Sequence, residues 1–328
     1  MTLMNRLFPL IISLALVWFL LSRIELSDIQ EVLVAVNPYV LIGLLFLYGG
    51  VYAFRSLRFH LLLERRISIR DLFVVTCVHT LTNNILPART GELSYIYLVK
   101  KYGLGSGHGI ASLITARVLD LFVVASMFFL SSTMISKSTH GFQTLVMTIT
   151  VGSALLVSLL TGIILLREKV LRTFNGLARL THLEKLSPVQ YLSRKLNETV
   201  DSFNQMTYEN IIKASVLSLI LWSISYVILY ILSTELGIAL RIHELIFTFA
   251  LLTLSNVLPL RSVAGFGIVE GVWAFALINF NVPENTAIAT GFGIHLLVLG
   301  YQIAFGIYGL IKAYPLLNRE KNKMRPQP

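Results

Sequence analysis

Six ionisable side chains fall inside stretches of this sequence that are otherwise apolar: Arg89 and Glu92, Arg117 and Asp120, Arg261 and Glu270. Guanidinium groups kept from water can hold a phosphate, and carboxylates beside them can neutralise them or carry protons. Four of the six belong to two similar strings. One reads Asn84-Ile85-Leu86-Pro87-Ala88-Arg89-Thr90-Gly91-Glu92; the other reads Asn256-Val257-Leu258-Pro259-Leu260-Arg261 and continues through Gly265 and Gly267 to Glu270. Both give Asn-x-Leu-Pro-x-Arg, then glycine, then glutamate where a helix resumes. Proline removes a backbone donor and ends one helix, and glycine permits the turn. The N-terminus of the next helix presents free N–H groups and a partial positive charge. With an arginine beside it, such an end suits an anion. Arg117 and Asp120, three residues apart on one helical face, fit either a substrate role or an ion pair that locks two helices.

The elements that must position these groups are set by composition. Of 328 residues, 55% are hydrophobic and 13% charged, and the mean hydropathy is +0.74. Soluble domains carry about 25% charged residues, so this chain lacks the polar surface to cover a water-soluble globule. An all-α polytopic membrane protein is expected. Apolar runs long enough to span, about 20 residues each, cover roughly 4–22, 38–57, 106–131, 142–166, 211–234 and 286–312. The first follows a basic start but precedes no small-residue cleavage site, so it reads as an uncleaved span. Two further stretches, 72–102 and 245–280, are interrupted near their middles by the two strings above.

Basic residues are distributed unequally between these segments. Twenty-one of the 27 Lys and Arg fall on one side, among them Arg55, Arg58, Arg65, Arg66 and Arg70 and eight between 167 and 213. Arg23, Lys137 and Arg241 fall on the other. Positive charge accumulates in cytoplasmic loops, which places both termini in the cytoplasm of a cell carrying this protein in its plasma membrane. The same rule explains the net charge of +10 without a nucleic-acid partner. It also makes each interrupted stretch a re-entrant hairpin, the first opening inward and the second outward. Six full spans plus two broken hairpins then form an inverted repeat within one transmembrane domain, 1–328. Its first half covers 38–131, with hairpin 72–102; its second covers 211–312, with hairpin 245–280. Between them, 167–210 is polar. There Val189, Leu192, Leu196, Val200 and Phe203 recur at helical spacing after Pro188. That pattern fits an amphipathic helix on the cytoplasmic leaflet or one packed under the bundle.

Other motifs are weak. Histidines 60, 79, 108, 140, 182, 243 and 295 show no metal-ligand spacing, and one cysteine, Cys77, forbids an internal disulfide. His295 alone lies within a strongly apolar span, where it fits a proton carrier or a hydrogen-bonded structural group. The glycines at 103, 105, 107 and 109 lack the preceding strand of a nucleotide loop. No metal, cofactor or catalytic signature is present.

At these residues the chain resembles the flippase-like membrane family typified by the transmembrane domain of lysylphosphatidylglycerol synthase. The resemblance covers nearly the whole chain. It rests on Arg55, Arg58 and Arg65, on Asn84…Pro87-x-Arg89-x-Gly91-Glu92, on Arg117-x-x-Asp120, and on Pro259…Gly265-x-Gly267-x-x-Glu270. It implies movement of an amphipathic lipid or lipid-linked precursor between leaflets. The chain departs from the family where Ser262-Val263-Ala264-Gly265 replaces a proline and a glycine pair, and where His295 stands in place of an arginine. The soluble aminoacyl-transferring domain has no counterpart, so lipid lysylation is not expected.

The resulting expectation is a translocator, not an enzyme. Arg89, Glu92, Arg117, Asp120, Arg261 and Glu270 would line a site for a phospholipid or a polyprenyl-phosphate-linked lipid. The breaks at Asn84, Pro87, Gly91, Asn256, Pro259, Gly265 and Gly267 would shape it, because paired broken segments point to transporter sites. Two other readings remain: an intramembrane enzyme with Glu92 or Asp120 as general base, and a non-transporting scaffold of a lipid-biosynthesis complex.

Overall fold

The computed structural model describes residues 14–86, 91–135, 140–181, 183–255 and 263–323. Pro87, Arg89, Asn256, Pro259 and Arg261 therefore lie outside the described residues. Among the described residues the regular structure is helical throughout. The helices are α1 (14–21), α2 (Leu26–Val34), α3 (Pro38–Leu62), α4 (Ile69–Ile85), α5 (Glu92–Lys101), α6 (Ser106–Thr133), α7 (His140–Leu165), α8 (Arg167–Leu180), α9 (Ser187–Gln205), α10 (Tyr208–Glu235), α11 (Ile242–Ser255), α12 (Ile268–Asn279) and α13 (Glu284–Lys323). Five are long and apolar enough to cross a membrane: α3, α6, α7, α10 and α13. They coincide with five of the six expected spans; of the sixth, 4–22, only its helical end at 14–21 is described.

Local signals start these helices where the sequence provides them. Pro38 occupies the first turn of α3, and the Asn37 side chain accepts from the Tyr39 N–H at 2.9 Å. Ser68 caps α4 through the Asp71 N–H. At the foot of α10, Glu64 accepts from the Thr207 N–H at 2.8 Å and from the Asn210 amide at 2.9 Å.

That last contact also orients the bundle. The Glu235 carboxylate at the far end of α10 accepts from the Asn37 N–H at 3.0 Å, so α3 and α10 run antiparallel. The end of α3 lies beside the start of α10. Helices α4 and α11, which follow α3 and α10, consequently enter the bundle from opposite ends. Each turns back on itself. Asp71 lies beside Tyr102 at the mouth of the α4–α5 pair, and Thr82 meets Ser94 at 2.7 Å near its tip. In the α11–α12 pair, Phe247 packs against Phe280 at the mouth, with ring centroids 5.9 Å apart.

Close packing holds the first hairpin against α13. A side-chain carbon added to Gly306 would sit 2.4 Å from Leu81, and one added to Gly309 would sit 2.6 Å from Cys77. Only residues without a side chain let these backbones approach so far. Gly91 is equally confined, since a Cβ there would fall 2.2 Å from the Asn83 nitrogen.

Two expectations change. The polar stretch 167–210 holds, besides the helix expected after Pro188, which is α9, a second one, α8. The apolar stripe splits as well: Val200 and Phe203 are buried against the start of α6, whereas Leu192 stays 48% exposed. Second, α3 continues five residues past the expected end at 57, which draws Arg58 into the helix; Arg58 and Arg55, the latter at the edge of the expected span, thus leave the loop charges with which they were grouped. Arg58 is only 2% exposed.

The tip of the second hairpin is strained. Ala264 adopts φ 53°, between Val263 and two positive-φ glycines, Gly265 and Gly267. A left-handed alanine costs roughly 1–2 kcal/mol. Ala264→Gly is therefore expected to raise stability by up to about 1 kcal/mol, after allowing for the greater freedom of glycine in the unfolded chain. A higher thermal unfolding midpoint in detergent is the expected reading; a lower one would show that the Ala264 methyl contributes packing that outweighs the strain.

Candidate functional site

Two adjoining cavities run through the bundle. The first, about 270 Å³, is walled by Arg58, His79, Asn83, Arg117, Asp120 and apolar neighbours. The second, about 240 Å³, is walled by Tyr48, Tyr52, Ser225, Ala264, Gly265 and His295, again with apolar neighbours. They share Arg55, Thr80, Asn84, Trp222, Thr253 and Gln302. Along α3 the walls run from Tyr48 to Phe59, about 16 Å at 1.5 Å per residue. The shared residues form a waist. Trp222 and Gln302 lie close to the middles of α10 and of the apolar part of α13, and both hairpins bring residues near their tips to the same level.

Each charged group in this region has found a partner on another helix. Arg58 forms a two-pronged ion pair with Asp120 and also donates to the Ser218 hydroxyl at 2.9 Å. Asp120 further accepts from the Trp222 indole N–H at 2.9 Å. This knot ties α3, α6 and α10 together. Arg117, on the same face of α6 as Asp120, meets Glu92 at 3.1 Å across α5 and α6, an ion pair that joins two helices. The spacing of Arg117 and Asp120 puts them on one face of α6, but their side chains diverge to different neighbours.

Glu270 lies fully buried behind the second cavity. Its carboxylate accepts from the Gly267 N–H at 2.7 Å and meets His295 Nδ1 at 2.6 Å. The other ring nitrogen, Nε2, meets the Ala264 carbonyl oxygen at 3.0 Å. Both glutamates that follow the two strings thus start returning helices, α5 and α12.

Arg55 differs from the rest. At the waist, its guanidinium donates to the Thr80 hydroxyl at 3.2 Å, and among the described residues no carboxylate comes within ion-pairing distance. Tyr52, one turn before it, is 2% exposed, and its hydroxyl also approaches Thr80. The sequence reading did not place Arg55 in the site; its position three residues before Arg58, on the same helical face, was the available signal. Among the described residues no cluster of His, Cys, Asp and Glu forms a metal-binding set.

The first cavity also borders an apolar region. Leu121 and Leu254 belong both to its wall and to that of an apolar groove of about 530 Å³, lined by Leu145, Ile149, Leu156, Val272 and Phe275. That groove lies between α7 and the second hairpin. Helix α7 is peripheral, with none of its most apolar window buried.

Five membrane-length helices, two interrupted hairpins and an internal cavity beside an apolar groove describe a multi-pass integral membrane protein. The chain belongs to the lysylphosphatidylglycerol synthase TM region family, whose model matches residues 6–306, a range that includes both hairpins and the whole cavity. No curated protein and no solved structure matches the sequence. The family makes this a lipid-related membrane protein.

Proposed function

We propose that the protein moves a phosphate-bearing lipid between the leaflets of the plasma membrane. The observation that carries this reading is the shared wall between the polar cavity and the apolar groove. A headgroup would sit at the waist on Arg55, while its chains lie in the groove beside α7. Keeping the chains in an apolar path matters, since exposing them to water costs about 0.8 kcal/mol per CH₂. Arg89 and Arg261, carried by the hairpin strings, would be further candidates for holding the anion.

Two hairpins entering from opposite ends and meeting at one waist would act as halves of an inverted repeat. Exchange of their roles would open the site alternately to each face. The charge distribution puts both termini in the cytoplasm, with the first hairpin opening inward. Single cysteines test this. Arg70→Cys and Lys100→Cys are expected to be shielded from an impermeant thiol reagent added outside intact cells, and Asn285→Cys to react. Outside labelling at Lys100→Cys would overturn the hairpin topology.

The function is tested with purified protein in liposomes containing acyl-labelled anionic, zwitterionic or polyprenyl-phosphate lipids. Accelerated loss of inner-leaflet protection, with lipid mass unchanged, supports translocation. A changed lipid mass would favour the enzyme. No acceleration over empty vesicles for any of the three classes would favour the scaffold.

A further inference from the structure

The contacts of Glu270 and His295 fix how many protons this buried pair contains. A carbonyl oxygen only accepts, so the contact from Ala264 requires a hydrogen on His295 Nε2. The second ring nitrogen, Nδ1, faces a Glu270 oxygen at 2.6 Å. Without a proton between them, two lone pairs would oppose each other in a site where Glu270 is 0% and His295 7% exposed. The other Glu270 oxygen accepts from the Gly267 N–H, which leaves it poorly placed to carry a hydrogen of its own. One proton, shared between Oε1 and Nδ1, satisfies every contact, and the pair is then neutral overall.

We propose that Glu270 and His295 form a one-proton binding site that couples lipid movement to the proton gradient. His295 lines the second cavity, which gives the proton a route to water there; Glu270 is reached only through the ring. With the proton bound, His295 bridges the hairpin tip at Ala264 and the first turn of α12, fastening both to α13. Release to cavity water leaves one negative charge on the pair and replaces the bridge by repulsion. The one imidazole hydrogen that remains can serve the Ala264 carbonyl or Glu270 but not both, so one of the two ties to α13 is lost. An anionic headgroup on Arg55 disfavours that release, because both charges would be negative and would share one cavity. Headgroup and proton therefore bind cooperatively and travel together, each raising the affinity for the other.

The surroundings are otherwise sparse in groups that titrate. Among the described residues, α3 contributes Tyr48, Tyr52 and Arg55 to this cavity, and α12 contributes Glu270 behind it. The walls from α4, α10 and α11 are Thr80 and Asn84, Trp222 and Ser225, and Thr253 with apolar residues. Helix α2 brings Val32 against Gly293 of α13. On α13 itself, Tyr301 stacks on Tyr48 and donates to the Leu41 carbonyl. Phe266 of the tip covers the His295 ring, with centroids 4.7 Å apart.

The coupling, though not the proton count, rests on the translocation reading. Glu270→Gln separates a proton site from a merely structural bridge. A glutamine amide can donate to Nδ1 and accept from Gly267, so it preserves the contacts but holds no exchangeable proton. Nitrogen-15 histidine spectra of the protein in nanodiscs, from about pH 5 to pH 9, should show His295 Nδ1 changing protonation in the wild type, assigned by its loss in His295→Gln. In Glu270→Gln the ring should stay neutral across the range, with an unchanged unfolding midpoint. In liposomes, one proton per lipid and a gradient of one pH unit should drive about a tenfold steady-state asymmetry of labelled anionic lipid, absent in Glu270→Gln. A wild-type Nδ1 signal that is invariant with pH overturns the site, and so does a gradient response retained by Glu270→Gln. If the wild type moves no lipid under any gradient, the translocation reading falls, and the nitrogen signal, which needs no transport, still decides the proton site.

Discussion

Asp120→Asn should be among the most damaging single changes in the molecule. Asparagine keeps the volume and one acceptor for Trp222, but it leaves Arg58 as a buried guanidinium facing no charge. Breaking a buried pair from one side costs about 3–5 kcal/mol, because the surviving charge is then uncompensated. The expected result is a large fall in the thermal unfolding midpoint and in membrane accumulation. The double change Arg58→Met with Asp120→Leu should recover most of the loss, since apolar residues often replace a buried pair at little cost. An Asp120→Asn protein that melts like the wild type would mean that water reaches the knot and screens it. In that case Asp120 returns to the list of groups free to meet a substrate.

Arg55→Gln should give the opposite pattern, a folded protein that does not work. Among the described residues no carboxylate forms an ion pair with Arg55, since Asp120 is held by Arg58, and the contact of Arg55 to Thr80 can be made by an amide. The headgroup would lose a hydrogen bond involving charge, worth about 1.5–3 kcal/mol, or roughly ten- to more than a hundredfold in affinity. Translocation of anionic lipid should fall accordingly, with the unfolding midpoint unchanged. Arg55→Lys should restore part of the rate, because charge returns without the two-pronged geometry. Full activity in Arg55→Gln would move the headgroup site away from the waist.

These two arginines also show where the sequence stops being informative. Hydropathy located the long helices, because spanning segments differ so strongly in composition from what joins them. Proline and glycine located the hairpin breaks, because their backbone constraints are local. Arg55 and Arg58 went to the loop side because a span read from hydropathy ends where charge begins. Whether a charge near a helix end is solvated or buried depends on its partner, and the partner of Arg58 lies 62 residues away on another helix. Arg117 and Asp120 illustrate the same limit from the other direction. Their spacing placed both on one helical face and allowed ion pairs that lock helices together, but it could not name the partners, Glu92 on α5 and Arg58 on α3. The proximity of Glu270 to His295, 25 residues apart, follows from how α12 packs on α13, which no local pattern encodes.

The glycine seam between α4 and α13 has a practical consequence. Cys77 is the chain's one thiol, it is buried, and the backbone of Gly309 lies directly over it. A small membrane-permeant maleimide can reach it only during moments when the two helices part. The rate of modification then equals the open fraction multiplied by the intrinsic rate of the exposed thiol, as in hydrogen exchange. The native protein thus carries its own gauge of how often the first hairpin lifts from its neighbour, readable by mass spectrometry without a label, with and without lipid or a pH gradient across the membrane.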